Sequence, residues 1–375
     1  MEQKGQNRQE QILVGIDVGS TTTKVAVMEV ATGKVLFSDY TRHHSDQLQS
    51  VSRAVKLVKE TLAGRSFLTA MTGSGAKHLS EELEIPYVQE VVANSIALKA
   101  MYGEIGTAIE LGGQDAKIIF FQRDKRTGEL QVADMRMNGS CAGGTGAFVD
   151  EIASLLKTPV EEFDALAAQG TTVYDISGRC GVYAKTDIQP LLNQGAAKEN
   201  IAASIYAAVA SQTIAGLAQG RRIGGKVMFL GGPLYYCQGL RAAFREALKL
   251  DDKHALFPEY GRLSVALGAA LYAAGQDWET DMDALLADVE ESCRSMPTTA
   301  HTPPLFASEE EYRAFCERHN RATAKAVYPA DYSGDAFLGI DCGSTTTKLV
   351  LMGGDGEILY AYYDSNRGNP VSIVQ

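Results

Sequence analysis

The sequence predicts an α/β protein in which two hairpins with glycine-rich tips can face each other. Two hairpin patterns with polar, glycine-rich tips carry this prediction, in the stretches 11–42 and 107–121. A third pattern, an apolar strand followed by a Gly-Gly turn and a helix, lies at 226–248. Alternation of strand and helix patterns is typical of α/β proteins.

The composition favours compact units and excludes several classes of partner. The chain has 375 residues, of which 45% are hydrophobic, enough for two or more hydrophobic cores. Its net charge is −11 and it lacks a Lys/Arg-rich run, so we expect no nucleic-acid partner. Neither an apolar leader nor an uninterrupted apolar stretch of 18 residues is found, which predicts a cytoplasmic protein with no membrane partner.

The first hairpin carries the stretch GIDVGSTTTK. Its small hydroxyl residues and glycines let backbone N–H groups and hydroxyls surround an anion, and phosphate is the natural ligand. Asp17 ends a buried strand, where a bare carboxylate is costly but a hydrated Mg²⁺ beside the phosphate would be well held. An ordinary hairpin with a polar tip is the alternative. The predicted nucleotide-binding residues here are Gly15, Gly19, Ser20, Thr21, Thr22, Thr23 and Lys24.

The second hairpin, TAIELGGQDAKIIFF, repeats the design of strand, polar glycine-rich tip and strand. We predict that Asp17, Gln114 and Asp115 are the catalytic residues, and that Asp115 also holds Mg²⁺ through water. The third pattern places a Gly-Gly turn before a helix, which lets the backbone approach a flat ligand closely. The predicted nucleotide-binding residues of these two segments are Gly112, Gly113, Lys117, Gly231, Gly232 and Pro233.

In this order and spacing, the segments resemble the phosphate 1, phosphate 2 and adenosine segments of the actin, Hsp70 and sugar-kinase superfamily of ATPases. The resemblance extends from about Gln11 to Gly275, where FPEYGRLSVALGAALYAAG adds a small-residue helix. It implies two ribonuclease-H-like lobes, at 11–103 and 104–275, with ATP in the cleft between them.

Two cysteines stand in glycine-flanked turns ahead of helical patterns, Cys141 in NGSCAGGTGAF and Cys180 in SGRCGVYAKTDIQPLL. Near a helix N-terminus the helix dipole favours thiolate, and glycine-rich backbone offers N–H groups to sulfur, which suits an iron–sulfur cluster. Two buried cysteines that pack as small hydrophobic side chains are the alternative, because no C-x-x-C motif is present.

The combination of GIDVGSTTTK, ELGGQDAK, CAGGTGAF and CGVYAKTDIQPLL resembles the activator ATPases of 2-hydroxyacyl-CoA dehydratases, the BadF/BadG/BcrA/BcrD family. The resemblance implies one [4Fe–4S] cluster shared between the two subunits of a homodimer, with Cys141 and Cys180 as ligands from each chain. It also implies an acyl-CoA dehydratase or benzoyl-CoA-reductase-like partner and a ferredoxin or flavodoxin-type electron donor.

The chain departs from the family pattern in two places. Glu110 stands where Asp usually precedes GGQD, and GGPLYY replaces a GGVALN-like turn around Pro233. The remaining cysteines match no ligand position and are interpreted as structural or free: Cys237, Cys293, Cys316 and Cys342.

The rest of the chain is expected to be a helical spacer and linker at 276–336, followed by the truncated start of a second ATPase repeat at 337–375. A capping-box pair, Ser308 and Glu311, predicts a helix within the spacer. The second copy, GIDCGSTTTK, has no second phosphate segment after it, so we do not expect it to bind ATP alone. The expectation is a fragment of a larger tandem-repeat protein; a degenerate tail that pairs with a neighbour's sheet edge is the alternative.

Together these patterns and the resemblance favour an enzyme, an ATPase coupled to single-electron transfer. Two other functions remain open from the sequence. One is a small-molecule kinase of the same superfamily, in which a cleft carboxylate activates a hydroxyl. The other is a non-catalytic, nucleotide-responsive scaffold whose cysteines only pack.

Overall fold

The structure is a computed structural model of the chain. It describes residues 11–62, 67–138, 143–276, 280–295, 303–343, 345–366 and 373–374. The chain divides into two compact units. The first contains Met1–Ala184 and Lys198–Met296, and the second contains Lys185–Ala197 and Pro297–Gln375.

Two sheets of the first unit repeat one strand order. The first has the order β3-β2-β1-β4, and the second has the order β7-β6-β5-β8-β9. In each, a three-stranded antiparallel meander is followed by a strand that pairs in parallel with the first strand of the meander. The strands are β1 (Ile12–Val18), β2 (Thr22–Glu29), β3 (Val35–Arg42), β4 (Phe67–Thr72), β5 (Thr107–Leu111), β6 (Ala116–Arg123), β7 (Leu130–Met137), β8 (Val227–Leu230) and β9 (Ala255–Leu256).

The helices lie between and after these strands, as expected for an α/β chain. In chain order they are α1 (Gln47–Thr61), α2 (Ala76–Glu82), α3 (Glu90–Met101), α4 (Gly146–Leu155), α5 (Val160–Ala167), α6 (Gly181–Asn193), α7 (Lys198–Ala218), α8 (Gly232–Tyr236), α9 (Gln238–Leu248), α10 (Ser264–Ala273), α11 (Met282–Ser295) and α12 (Glu309–His319).

The first sheet is covered on both faces, which is why every residue of β1 is buried. Helix α1 covers one face with Val51, Val55 and Val58, whose spacing places them on one side of a helix. Asp46 caps this helix by accepting a hydrogen bond from the backbone N–H of Gln49 at 3.1 Å.

Helix α10 covers the other face of the first sheet. It is apolar on all sides. At two points, backbone atoms approach so closely that only glycine fits. A Cβ on Gly15 of β1 would lie 1.9 Å from the carbonyl oxygen of Ala266, and a Cβ on Gly268 would lie 1.8 Å from that of Ala93. The sequence placed α10 within the 104–275 lobe, whereas the structure packs it on β1 and β4 of the first sheet.

Helix α11 also packs on the first sheet. Its Met282, Leu285 and Val289 are buried in the same core cluster as the α1 valines. The sequence placed this helix in a spacer at 276–336, so this part of the predicted spacer is core structure in the first unit.

Helix α7 is long and apolar enough to cross a membrane by length and composition, alone among the helices that the structure describes. Of its 18-residue apolar window, 61% is buried within the protein. Its apolar residues therefore have protein contacts that account for its composition.

The second unit contains the repeated hairpin. Its strands β10 (Ala336–Cys342), β11 (Thr346–Gly353) and β12 (Ile358–Ser365) form an antiparallel sheet in that order. Helix α12 begins at the predicted cap, because the Ser308 hydroxyl accepts a hydrogen bond from the Glu311 backbone N–H at 3.3 Å.

Candidate nucleotide site

The two hairpin tips and the Gly-Gly turn of the first unit line one cavity of about 440 Å³. Thr21 and Thr22 line it from the first hairpin, Gly113 from the second, and Gly232 and Pro233 from the turn after β8. The structure thus brings together the three segments that the sequence predicted to bind a nucleotide. The volume of this cavity is within the usual range for a small-molecule site.

The first hairpin presents a buried acid–base pair just below its tip. Asp17 lies opposite Lys24 in the β1–β2 register, and the Lys24 ammonium donates to Asp17 Oδ2 at 2.6 Å. The tip closes through a hydrogen bond from the Gly19 N–H to the Thr22 carbonyl at 2.9 Å. The hydroxyl of Thr23 is buried and has no hydrogen-bond partner, so a bound water or ligand could satisfy it.

The second hairpin has the same construction. Glu110 lies opposite Lys117 in the β5–β6 register, and the Gly112 N–H donates to the Asp115 carbonyl at 2.7 Å. Glu110, rather than Asp115, therefore occupies the position that corresponds to Asp17. Asp115 is half-buried at the tip and Gln114 is exposed there.

Helix α3 brings two more polar side chains to the second hairpin. Lys117 donates a hydrogen bond to Glu90, and its ammonium lies 3.9 Å from Glu110 Oε2. The amide of Asn94 donates to Glu110 Oε2 at 2.9 Å. Glu90, Asn94 and Glu110 are functional candidates that the sequence analysis missed.

The buried charges perturb one another. Burial raises the pKa of Asp17 despite the opposing charge of Lys24, and burial likewise raises the pKa of Glu110 against Lys117. At Glu90, burial favours a higher pKa, but the charge and hydrogen bond of Lys117 prevail and lower it. Carboxyl groups with perturbed pKa values are typical of functional sites. These three carboxylates do not line the cavity itself.

The two tips touch each other, and the second tip holds helix α4. A Cβ on Gly113 would lie 2.1 Å from Thr21 Oγ1, so only glycine fits there in this arrangement. The N–H groups of Gly146 and Ala147 donate to the carbonyls of Gly112 and Gly113 at 3.0 and 2.7 Å. A shift of the second tip must therefore move the N-terminus of α4.

The backbone of the turn after β8 also lies very close to neighbouring residues. Gly231 has a φ of +91°, and a Cβ there would lie 1.9 Å from the Leu111 carbonyl oxygen. A Cβ on Gly232 would lie 2.1 Å from the Tyr40 hydroxyl. Tyr40 and Tyr236 form an edge-to-face pair at 5.6 Å in the cavity wall, an apolar surface suited to a flat ring.

An ion pair in the cavity wall connects the first sheet to helix α4. Arg42, at the end of β3, contacts Asp150 on α4 through two hydrogen bonds of 2.7 and 3.2 Å. Both residues line the cavity. The pair joins the first hairpin's sheet to the helix that follows the Cys141 segment.

One of the two predicted cluster cysteines can be placed. Cys141 lies outside the described residues. Cys180 is half-buried, immediately before α6. A Cβ on Gly143 would lie 1.9 Å from the Arg179 carbonyl oxygen, so the backbone two residues after Cys141 lies against the residue before Cys180.

The described residues contain no group of three or more His, Cys, Asp or Glu side chains that could hold a metal ion. The four other cysteines are free thiols. Of these, Cys237 lines the nucleotide cavity, and burial raises the pKa of its thiol.

Five of the thirteen predicted nucleotide-binding residues line the cavity: Thr21, Thr22, Gly113, Gly232 and Pro233. Gly15 lies in the middle of β1 and does not line the cavity; its lack of a side chain serves the approach of α10. Lys24 and Lys117 lie behind the tips, in ion pairs with Asp17 and Glu90.

Two sheets of matching topology around a glycine-lined cavity define the actin/Hsp70/sugar-kinase-like ATPase fold. Residues 14–273 match the BadF/BadG/BcrA/BcrD ATPase family. The chain belongs to this family.

Curated relatives support the assignment. The chain is 32% identical over 265 residues to the (R)-2-hydroxyglutaryl-CoA dehydratase activating ATPase of Acidaminococcus fermentans, over 69% of this chain and 96% of that one. It is 30% identical over 265 residues to the activator of lactoyl-CoA dehydratase of Anaerotignum propionicum, with the same coverage of 69% and 96%.

A solved structure has the same fold. The crystal structure of the Acidaminococcus fermentans (R)-2-hydroxyglutaryl-CoA dehydratase component A superposes with a TM-score of 0.60 at 29% identity. The superposition covers 70% of this chain and 98% of that one. The family match covers both sheets that carry the cavity-lining hairpins, and the repeated hairpin lies beyond the matched residues 14–273.

Proposed function

We propose that the protein binds Mg²⁺–ATP in the cavity and hydrolyses it. The observation that carries this proposal is the contact of two glycine-rich tips, Thr21 against Gly113, at a cavity that the Gly232 turn also lines. Backbone N–H groups and hydroxyls at these tips would surround the phosphates. Membership of an ATPase family supports the same reaction.

The residues present fit a magnesium ion. Asp17 would hold it through water, with Gln114 and Asp115 at the facing tip orienting the phosphates and the attacking water. Three buried or half-buried carboxylates, Asp17, Glu90 and Glu110, share two ammonium groups, and a nearby divalent cation would offset the excess negative charge.

We further propose that ATP hydrolysis serves the activation of an acyl-CoA dehydratase or reductase component. The relatives are named as activators of (R)-2-hydroxyglutaryl-CoA and lactoyl-CoA dehydratases, and a more distant relative, 24% identical, is a benzoyl-CoA reductase component of Thauera aromatica. In this proposal, activation includes the transfer of one electron to the partner, and a ferredoxin or flavodoxin-type protein would donate that electron.

The finer part of the proposal is a [4Fe–4S] cluster held by Cys141 and Cys180 of each subunit in a homodimer. The close approach of Gly143 to Arg179 supports it, because it brings the two cysteine segments together. Two ligands from each chain give four only in a dimer. When bound, such a cluster supplies single-electron transfer at low potential.

The test is anaerobic purification, followed by iron, sulfide and ATPase measurements. Asp17→Asn is expected to abolish hydrolysis with the fold intact. Cys141→Ala and Cys180→Ala are each expected to lose iron and weaken the dimer while keeping ATP binding; Cys316→Ala, in the second unit, is the control that keeps both. Full iron in either cluster variant would contradict the shared cluster and favour the kinase or scaffold function.

A lobe boundary between residues 103 and 104 and the cytoplasmic location are part of this proposal, with α10 (Ser264–Ala273) assigned to the lobe of the first sheet, on which it packs. The boundary would be tested by limited proteolysis with and without nucleotide. Cleavage confined to segments outside the two sheets would support it.

A further inference from the structure

The buried side chain of His43 holds the tip of the first hairpin. His43 directly follows β3 and is 5% exposed. Its ring Nε2 lies 3.0 Å from the Gly19 carbonyl oxygen, and its backbone N–H donates to the Thr21 carbonyl at 3.2 Å. Both carbonyls belong to the tip, and Thr21 lines the cavity. His43 therefore holds two backbone carbonyls of the tip in place.

The second ring nitrogen of His43 determines where the ring carries its proton. The Ser45 backbone N–H donates to Nδ1 at 3.1 Å, so Nδ1 is an acceptor. In the neutral ring, Nε2 then carries the proton and donates it to the Gly19 carbonyl. His44 and Ser45 have φ angles of +48° and +70°, in the left-handed region that residues other than glycine seldom adopt. This unusual turn brings the Ser45 N–H to the His43 ring.

The repeated hairpin of the second unit has the same contacts, made by a different residue. Asn366 directly follows β12, as His43 follows β3, and it is also buried. Its backbone N–H donates to the Thr345 carbonyl at 2.8 Å, and its side-chain amide donates to the Gly343 carbonyl at 2.6 Å. These acceptors occupy the same two positions of the tip as in the first copy. A side-chain donor to the first glycine of the tip is therefore common to both copies.

One threonine hydroxyl differs between the two copies. In the second copy, the Thr347 hydroxyl donates to the Asn366 side-chain oxygen at 2.5 Å. The equivalent hydroxyl of Thr23 is buried and has no partner among the described residues. His43 offers it no acceptor, because both ring nitrogens are already engaged. An asparagine at position 43 would therefore satisfy the Thr23 hydroxyl as well as the tip carbonyl.

We propose that His43 is a positioning residue for phosphate binding, which fixes the Gly19 carbonyl on its own side of the tip. The C=O and N–H of a trans peptide unit point in opposite directions, so a fixed Gly19 carbonyl also directs the Ser20 N–H away from His43. A backbone N–H that is already oriented binds a phosphate without the cost of ordering the tip. This inference rests on the proposed binding of ATP at the tip.

The test compares two substitutions of nearly equal shape, His43→Asn and His43→Leu. Asparagine can donate to the Gly19 carbonyl, as Asn366 does to its equivalent, whereas leucine cannot. We expect His43→Leu to weaken the binding of a non-hydrolysable ATP analogue with Mg²⁺ about 10-fold or more, because a buried carbonyl loses its partner. We expect His43→Asn to bind the analogue within about 3-fold of the wild-type affinity, because this contact is kept. Asn366→Leu is the matched control in the second unit, and it is expected to leave the affinity unchanged.

Adenosine distinguishes the positioning of phosphates from a general loss of structure. Because adenosine has no phosphate, its affinity is expected to be equal in His43→Leu and in the wild-type protein. Three results would overturn the inference: wild-type affinity for the analogue in His43→Leu, an equal loss in both His43 variants, or an equal loss for adenosine and the analogue. If the wild-type protein itself binds no analogue, the proposed function fails, so the two failures are distinguishable.

A spectroscopic measurement does not require His43→Leu to fold. The nitrogen chemical shifts of the His43 ring, assigned by comparison with the spectrum of His43→Asn, are expected to show the Nε2–H tautomer in the wild-type protein. They are also expected to change on addition of the ATP analogue and not of adenosine. An Nδ1–H tautomer, or the same change with both ligands, would contradict the proposed role.

Discussion

Gly113→Ala is expected to force the two hairpin tips apart. The added Cβ would lie 2.1 Å from Thr21 Oγ1, 2.8 Å from its Cγ2 and 3.0 Å from its Cβ. Ordinary contacts between such atoms are about 3.5–4.0 Å, so one tip must move by roughly 1 Å or more. Overpacking of this kind costs about 1–3 kcal/mol, which corresponds to about 5- to 150-fold weaker ATP binding if the strain falls on the closed cleft.

The measurement is calorimetric titration with a non-hydrolysable ATP analogue and Mg²⁺. Thr21→Gly removes all three overlapping atoms, so it is expected to restore much of the affinity in the Gly113→Ala background. Thr21→Gly alone loses one hydroxyl, worth about 0.5–1.5 kcal/mol. Gly103→Ala is the matched control, since no atom lies within 4 Å of its Cβ position. Wild-type affinity in Gly113→Ala, or no rescue, would refute the reasoning.

Three other perturbations test separate parts of the structure. Alanine substitutions at Arg42 and Asp150 are expected to show a coupling energy of about 0.5–1 kcal/mol in ATP affinity, because the ion pair is bidentate but partly exposed. Additive losses of affinity in the double variant would contradict this coupling. Glu110→Gln is expected to raise the melting temperature at pH 7 and not at pH 3: the folded-state pKa of Glu110 lies above its unfolded value, so ionisation destabilises the fold as the pH rises. An equal shift at both pH values would exclude this cause. Deletion of the chain from Asp335 onward is expected to leave ATP affinity unchanged, because the cavity lies in the first unit; a lost affinity would assign the tail to the nucleotide site.

The hairpins were predictable because local spacing determines them. In each, a carboxylate precedes a lysine by seven residues across a four-residue tip, and the antiparallel register then places the two side chains opposite each other. The tip motifs alone match Asp17 with Asp115, a tip residue. The spacing of seven from Lys117 identifies Glu110 instead, and this signal was present in the sequence.

The roles of Glu90 and α10 could not be read from local patterns. Glu90 begins a helix whose sequence gives no reason to favour Lys117 over solvent; the pairing depends on how α3 meets the second sheet. Helix α10 is apolar on every side, so its periodicity selects no face. Its assignment to the first sheet depends on close backbone contacts at Gly15 and Gly268, which only the folded structure shows.

The repeated hairpin shows why the motif alone does not make the site. Asp341 and Lys348 are register partners in contact at 2.8 Å, as Asp17 and Lys24 are at 2.6 Å. The side chain of Asp341, however, is 65% exposed, against 3% for Asp17. Strand β1 is buried because β4, α1 and α10 cover it, whereas β10 pairs with β11 alone among the described strands. Burial beneath these elements desolvates Asp17, which raises its pKa and strengthens its interactions with nearby charges. The first copy of the motif therefore has electrostatic properties that the exposed second copy lacks.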